Sequence, residues 1–274
     1  MKYTLLFLCS IAVNCYCQNS SVNNEAKVKQ EALMNEFFIN YPQNYNLYSI
    51  EWHECLNSCL EYDSTNAFLW QQKAMPLFKA RKYEAGMVFI DKAVEYDQKR
   101  YLDYRAFIKC IFAKDYKDAI VDFEKCIALY GNNYVMDHTY KFHIALSYLQ
   151  LNNFKMAESI FKEDINDQVS KRKEAHYLDL FYYGISLYEQ KKWDEAIAVF
   201  NLSLAQYLTF SDVKYYKAIC LERKGLLEES NILFKESEKD FISGYTLNED
   251  QIYYETYPYQ VKKWFYNFLT PLND

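Results

Sequence analysis

Glycine and proline are scarce, 5 and 4 in 274 residues, which excludes a chain of strands joined by tight turns and leaves no Pro- or Gly-rich linker. Long apolar runs are lacking too. The one near the start, Leu5 to Val13, falls short of the ~18 to 20 residues needed to cross a bilayer, and no later segment could span one. Neither sign of charge forms a long run, so nucleic acid is not an expected partner. The four histidines, His53, His138, His143 and His176, show no His-x3-His or Cys-x2-Cys spacing. The reading is therefore no metal site and no cofactor, and His53 beside Cys55 and Cys59 reads as a polar surface residue near buried thiols. No Gly-rich phosphate loop, Gly-x-Ser-x-Gly elbow or kinase signature occurs, and acidic residues sit beside lysines at helical spacing, as on an ordinary solvated face. No catalytic constellation is present, and an enzyme is not expected.

Residues 1–17 read as a secretory signal: basic Lys2, a short apolar run, then small Cys15 and Cys17 before Gln18. Two alternatives are an uncleaved anchor and a lipoprotein acylated at Cys15, the latter disfavoured by Asn14 where a small residue is usual. Export to the periplasm or cell envelope is the expectation. Loss of residues 1–17 removes Lys2 from 31 basic residues and leaves 30 against 37 acidic ones, a net charge of −7. Of eight cysteines, five remain: Cys55, Cys59, Cys110, Cys126 and Cys220. That odd number lacks a disulfide-framework spacing.

What the chain does contain is a recurring pattern. In residues 115–129 the anchors Tyr116, Ala119, Phe123 and Cys126 are separated by 3, 4 and 3, which places them on one helical face and alternates large with small. The central small position recurs as Trp52, Gly86, Ala119, Ala157, Ala196 and Ser230, at intervals of 34, 33, 38, 39 and 34. A second small position repeats the register at Cys59, Ala93, Cys126, Asp164, Ser203 and Ser237. Fixed-period self-similarity predicts stacked helical hairpins.

The pattern resembles the tetratricopeptide repeat, most fully at Trp70, Ala74, Leu77, Tyr83, Gly86, Ile90 and Ala93. The fold class it implies is all-α, a right-handed α-solenoid of about six such hairpins with a C-terminal helical cap. The expected organisation is a signal peptide over 1–17, the solenoid over 18–242 and capping helices over 243–274. The first hairpin would pair helices over 26–39 and 50–62. Pro76 is expected to distort its helix near Met75, an extra residue is expected near 113–115, and enlarged exposed connections are expected at 131–137 and 165–173. Toward the end, helices over 248–257 and 259–268 flank Pro258, with Val261, Trp264, Phe265 and Phe268 as a stripe covering the last repeat.

The resemblance also implies a concave face lined by the first helix of each hairpin. The family's groove positions fall here on Phe68, Tyr101, Tyr104, Phe142, Phe181, Tyr182, Tyr188, Tyr215 and Tyr216. Such rings suit an extended peptide or protein segment, since they offer apolar area at low entropy cost; ordinary packing between helices is the competing explanation. The family serves as interaction scaffolds, so the implied function is protein–protein binding in the envelope. A glycan-binding accessory protein and a secreted inhibitor of an enzyme or toxin are the alternatives.

Overall fold

The computed structural model describes Val28, Lys29, Ala32 and residues 45–267. The expected signal over 1–17, most of the helix over 26–39, and Phe268 lie outside the described residues.

Twelve α-helices follow one another among the described residues: α1 Ile50–Tyr62, α2 Ala67–Lys79, α3 Tyr83–Tyr96, α4 Gln98–Phe107, α5 Tyr116–Tyr130, α6 Tyr140–Gln150, α7 Phe154–Arg172, α8 Tyr177–Glu189, α9 Trp193–Gln206, α10 Ser211–Arg223, α11 Leu227–Ile242 and α12 Lys263–Tyr266. The fold is all-α, built of helical hairpins. The chain divides into two compact units, the first ending at Tyr101 and the second beginning at Leu102. Side-chain caps start several helices. Ser49 accepts from the Trp52 amide, Asn66 from Leu69, Thr139 from Phe142 and Asn153 from Met156, each satisfying an amide that has no partner within its helix.

In the first unit α2 packs along α3, and α1 rests on α2. Trp52, Leu56, Cys59, Leu60 and Leu69 form its buried cluster, with Phe68 and Trp70 packed against it. Gly86 lies directly under the Phe78 ring, so the small position of the repeat exists to admit a ring from the partner helix. The α2 helix runs unbroken through Pro76.

In the second unit the pairs α6–α7, α8–α9 and α10–α11 are hairpins, and each also packs on the next. Ala119, Cys126, Ala157, Asp164, Ala196, Ser203, Ser230 and Ser237 are all buried, as the repeat register requires. Cys59 and Cys126 behave as small buried hydrophobes. The five described cysteines are free thiols.

Four local expectations are corrected. The extra residue of the third hairpin is taken up one turn earlier than 113–115, in a π-helix, Ile108–Ala113, that ends on Lys114 at φ 59°. A π-turn inserts a residue without breaking a helix, and Lys109 and Arg105, four residues apart, both reach Asp122, at 2.8 and 2.7 Å. The segment over 131–137 forms part of a small hairpin, Tyr134–Val135 against His138–Thr139, with Val135, His138 and Thr139 buried. Residues 165–172 continue α7 as helix rather than loop, because buried Gln168 gives them hydrogen bonds: its amide nitrogen donates to Asp164 and its oxygen accepts from the His176 amide at 3.2 Å. The expected helix over 248–257 is only a 3-10 turn, Asp250–Tyr253, and that over 259–268 is the single turn α12. Of the expected stripe Val261 is buried but Trp264 is 58% exposed, and Leu247, Tyr257 and Tyr266 supply the other buried side chains of this segment.

Candidate functional site

The expected binding face falls into two sets. On the first unit, Phe68 is half-buried against the Trp52 cluster, and Tyr101 is buried with the Arg100 guanidinium 5.4 Å from its ring centroid. The other seven residues belong to the second unit. Tyr104 is half-buried. Phe142 and Phe181 are fully enclosed: Phe142 lies 5.9 Å from Phe161, and Phe181 lies 5.3 Å from Phe210. Tyr188 is half-buried between Trp193 and Tyr216, at 5.7 and 5.4 Å.

Tyr182, Tyr215 and Tyr216 converge on a single object, the chain's own C-terminal segment. The Tyr182 hydroxyl donates to the Pro258 carbonyl at 3.0 Å; burial pushes its pKa well above the usual tyrosine range, keeping it a donor. Tyr216 meets Tyr259 at 5.8 Å, and Tyr215 meets Phe265 and Tyr266 at 5.6 Å each. The grip is completed by residues that sequence reasoning did not select. Asp212, at the start of α10, accepts from the Leu247 amide at 3.0 Å, the Val261 amide at 2.7 Å and the Thr246 hydroxyl at 2.7 Å. Glu189 accepts from the Tyr259 hydroxyl at 2.8 Å, and Lys114 donates to the Thr256 carbonyl at 3.0 Å. These contacts join residues 34 to 142 positions apart, so no local spacing announces them; an acid beside Ser211 at a helix start reads simply as part of a cap.

A second cluster lies in the same unit. His138 is 2% exposed, and its ring faces two carboxylates: Nδ1 lies 2.7 Å from Asp179 Oδ1, and Nε2 lies 3.3 Å from Glu249 Oε1. Burial disfavours charge on His138, but Asp179 and Glu249 outweigh it and lift the pKa to about 10, so both ring nitrogens donate. The neighbouring His143 is driven the other way, to about 3, by burial and by repulsion from His138. It is a neutral ring stacked on Phe123 at 5.1 Å. Asp179 stays ionised below the usual carboxyl range because His138 and Gln168 overcome its burial. His176, with a side chain 41% exposed, places Nδ1 4.0 Å from Asp179 Oδ1. The histidines appear scattered in sequence, yet the 134–139 hairpin and the start of α8 bring His138 and His176 to 5.3 Å between ring centroids.

With this geometry in hand, comparison with known proteins gives a consistent result. The tetratricopeptide-repeat family profile matches residues 180–207, which is the α8–α9 hairpin. That hairpin matches the tetratricopeptide repeat. Its fold matches PilW, a type IV pilus biogenesis factor, at a TM-score of 0.56 and 12% identity, over 80% of this chain and 93% of that one. It also matches MamA from Desulfovibrio magneticus RS-1 at 0.55 and 11% identity, over 65% of this chain and 96% of that one. A further MamA, from strain MSR-1, matches at 0.50 and 17% identity, over 65% and 98%. No curated protein matches this chain in sequence. At these identities the likeness shows the fold, the tetratricopeptide solenoid. The family and its neighbours are for the most part non-enzymatic scaffolds that bind protein or peptide partners. No helix among the described residues is long and apolar enough to cross a membrane.

Proposed function

We propose that this protein is a non-catalytic scaffold of the bacterial cell envelope that holds an extended, aromatic-rich segment of a partner protein against the first helices of its hairpins. The observation that carries the reading is the way residues 245–267 lie along α8 and α10. Irregular chain is gripped through its main chain by Asp212 and Tyr182 and through its rings by Tyr215 and Tyr216. A face that accommodates one such segment has the chemistry to accept another, because carboxylate and phenol groups read backbone while rings supply apolar area. In this reading a partner segment competes with the chain's own along Tyr182, Tyr188, Tyr215 and Tyr216, and the enclosed rings of Phe142 and Phe181 pack within the same unit. Export through residues 1–17 delivers the protein to the envelope, a setting consistent with the fold's likeness to PilW, a type IV pilus biogenesis factor.

The test is a photo-crosslinking residue at Tyr215 in the full chain, expressed in its native envelope, with exposed Glu195 on α9 as the control position. A protein captured from Tyr215 and not from Glu195 is expected. Titration of that partner should then lose ~2 kcal/mol or more in Tyr215→Ala and less than ~0.5 kcal/mol in Glu195→Ala. Unchanged affinity in Tyr215→Ala, or recovery of a polysaccharide and no protein, overturns the reading.

A further inference from the structure

We propose that His138, His176 and Asp179 form a binding site for a divalent transition metal of zinc-like ligand preference. One ligand atom from each of the three lies within 4.8 Å of the others. Zinc holds nitrogen and oxygen ligands at ~2.0 to 2.2 Å, which sets neighbouring ligand atoms of a tetrahedral sphere ~3.4 Å apart. The two separations onto Asp179 Oδ1, 2.7 Å from His138 Nδ1 and 4.0 Å from His176 Nδ1, fall on either side of that value. Side-chain shifts of well under an ångström would equalise them.

What distinguishes this cluster from a chance meeting of polar groups is the support behind each ligand. Metal-bound histidines ordinarily give their second ring nitrogen to a carboxylate, and bound carboxylates are themselves hydrogen-bonded. Here the second nitrogen of His138 faces Glu249 at 3.3 Å, and the second oxygen of Asp179 accepts from Gln168 at 2.5 Å. The rings have aromatic neighbours, His138 stacked on Phe142 at 3.9 Å and His176 tilted by 38° against Tyr177 at 4.3 Å. Such fixation from several elements preorganises a site. Two ligands are buried while His176 is exposed, so a cation has an entry side and a fourth position open to water, the arrangement of three protein ligands and one free place. Glu249 and Asp179 bring the negative charge, and their ion pairs among the described residues are to histidines alone; no lysine or arginine occupies the place of a metal. Since Glu249 belongs to the C-terminal segment, an ion bound to His138 would also fix that segment. This inference stands apart from the binding-face reading.

The experiment titrates the full-length metal-free chain with Co2+, follows the visible d–d absorption of a bound tetrahedral ion, and displaces it with Zn2+. One ion per chain is expected. His176→Ala, at an exposed side chain, should weaken binding ~10-fold or more while its melting temperature in a chelator matches the parent. Glu249→Gln should weaken binding by ~10-fold through His138. Three results would each overturn the site: no cobalt absorption at one equivalent, equal affinity in His176→Ala, or an intense sulfur-to-cobalt band that assigns the ion to cysteines.

Discussion

The indole nitrogen of Trp52 donates across 3.4 Å to the main-chain carbonyl of Gln72, and Pro76, four residues further along α2, is the reason that carbonyl is available. Proline has no amide hydrogen to offer the residue four before it, so a helix that would otherwise leave a part-buried acceptor without its helical partner is completed from α1. The expected local disturbance at Pro76 is thereby absorbed as an inter-helix hydrogen bond. In thermal or urea unfolding, Trp52→Phe should cost ~2 kcal/mol or more from the lost donor and lost volume. In a Pro76→Ala background, where an amide again serves Gln72, the same change should cost ~1 kcal/mol less. Equal costs in both backgrounds would break the link between the two residues.

Gly184 and Phe200 are the second-unit counterpart of Gly86 and Phe78, with the roles of the two helices exchanged. A methyl at Gly184 would meet the Phe200 ring at a distance real side chains do not reach. Alanine should gain ~1 kcal/mol of helix propensity and lose ~1 to 3 kcal/mol to overpacking, for a net destabilisation. Phe200→Leu in the same chain should recover part of it. Stabilisation by Gly184→Ala alone would show that α8 and α9 separate freely.

The turns inside the hairpins share one backbone device. Arg81, Lys114, Asn152, Lys191 and Gly225 all adopt positive φ, between 59° and 79°, at intervals of 33, 38, 39 and 34, the same as those of the buried small positions. The left-handed conformation costs a residue with a Cβ ~1 kcal/mol, and only Gly225 avoids it. Lys191→Gly should therefore raise stability by ~0.5 to 1 kcal/mol and Gly225→Ala lower it by about as much, read as opposite shifts in melting temperature. Shifts of the same sign would contradict the shared turn geometry.

How far the sequence foretold this architecture depends on the range of the interactions. Helix faces and the recurring small positions arise from neighbours three and four residues apart, and these were legible. That Tyr182, Tyr215 and Tyr216 meet the chain's own C-terminal segment was not legible, because Pro258, Tyr259, Phe265 and Tyr266 lie 43 residues or more beyond the residues they meet. The partners of Asp212 lie 34 to 49 residues away, and His138 meets Asp179 41 residues on. The added turns of α7 were misread because Asp167, Lys171 and Arg172 look like loop residues until Gln168 is seen binding Asp164 and the His176 amide. Likewise, the segment over 248–257 has a plausible helical composition, yet its ends are tied by main-chain amides to a side chain on α10, which an α-helix could not permit.

That tie gives the last prediction. Asp212 is fully buried, and three of its four donors come from the C-terminal segment, the Thr246 hydroxyl, the Leu247 amide and the Val261 amide, the fourth being the neighbouring Ser211 hydroxyl. Burial raises its carboxyl pKa, and those donors oppose the rise by favouring the carboxylate that accepts from them. An asparagine keeps the size but presents an NH2 to a main-chain N–H, leaving a buried donor facing a donor. Asp212→Asn should cost ~2 kcal/mol or more, whereas Thr246→Val, which removes one donor and leaves both amides served, should cost ~1 kcal/mol. The two changes are best separated by amide hydrogen exchange in the full chain: in Asp212→Asn the Leu247 and Val261 amides should exchange faster while those of α8, such as Ile185, keep their protection. Parallel loss of protection in α8 would mean that Asp212 supports the whole unit, and unchanged exchange at Leu247 and Val261 would mean that it anchors nothing.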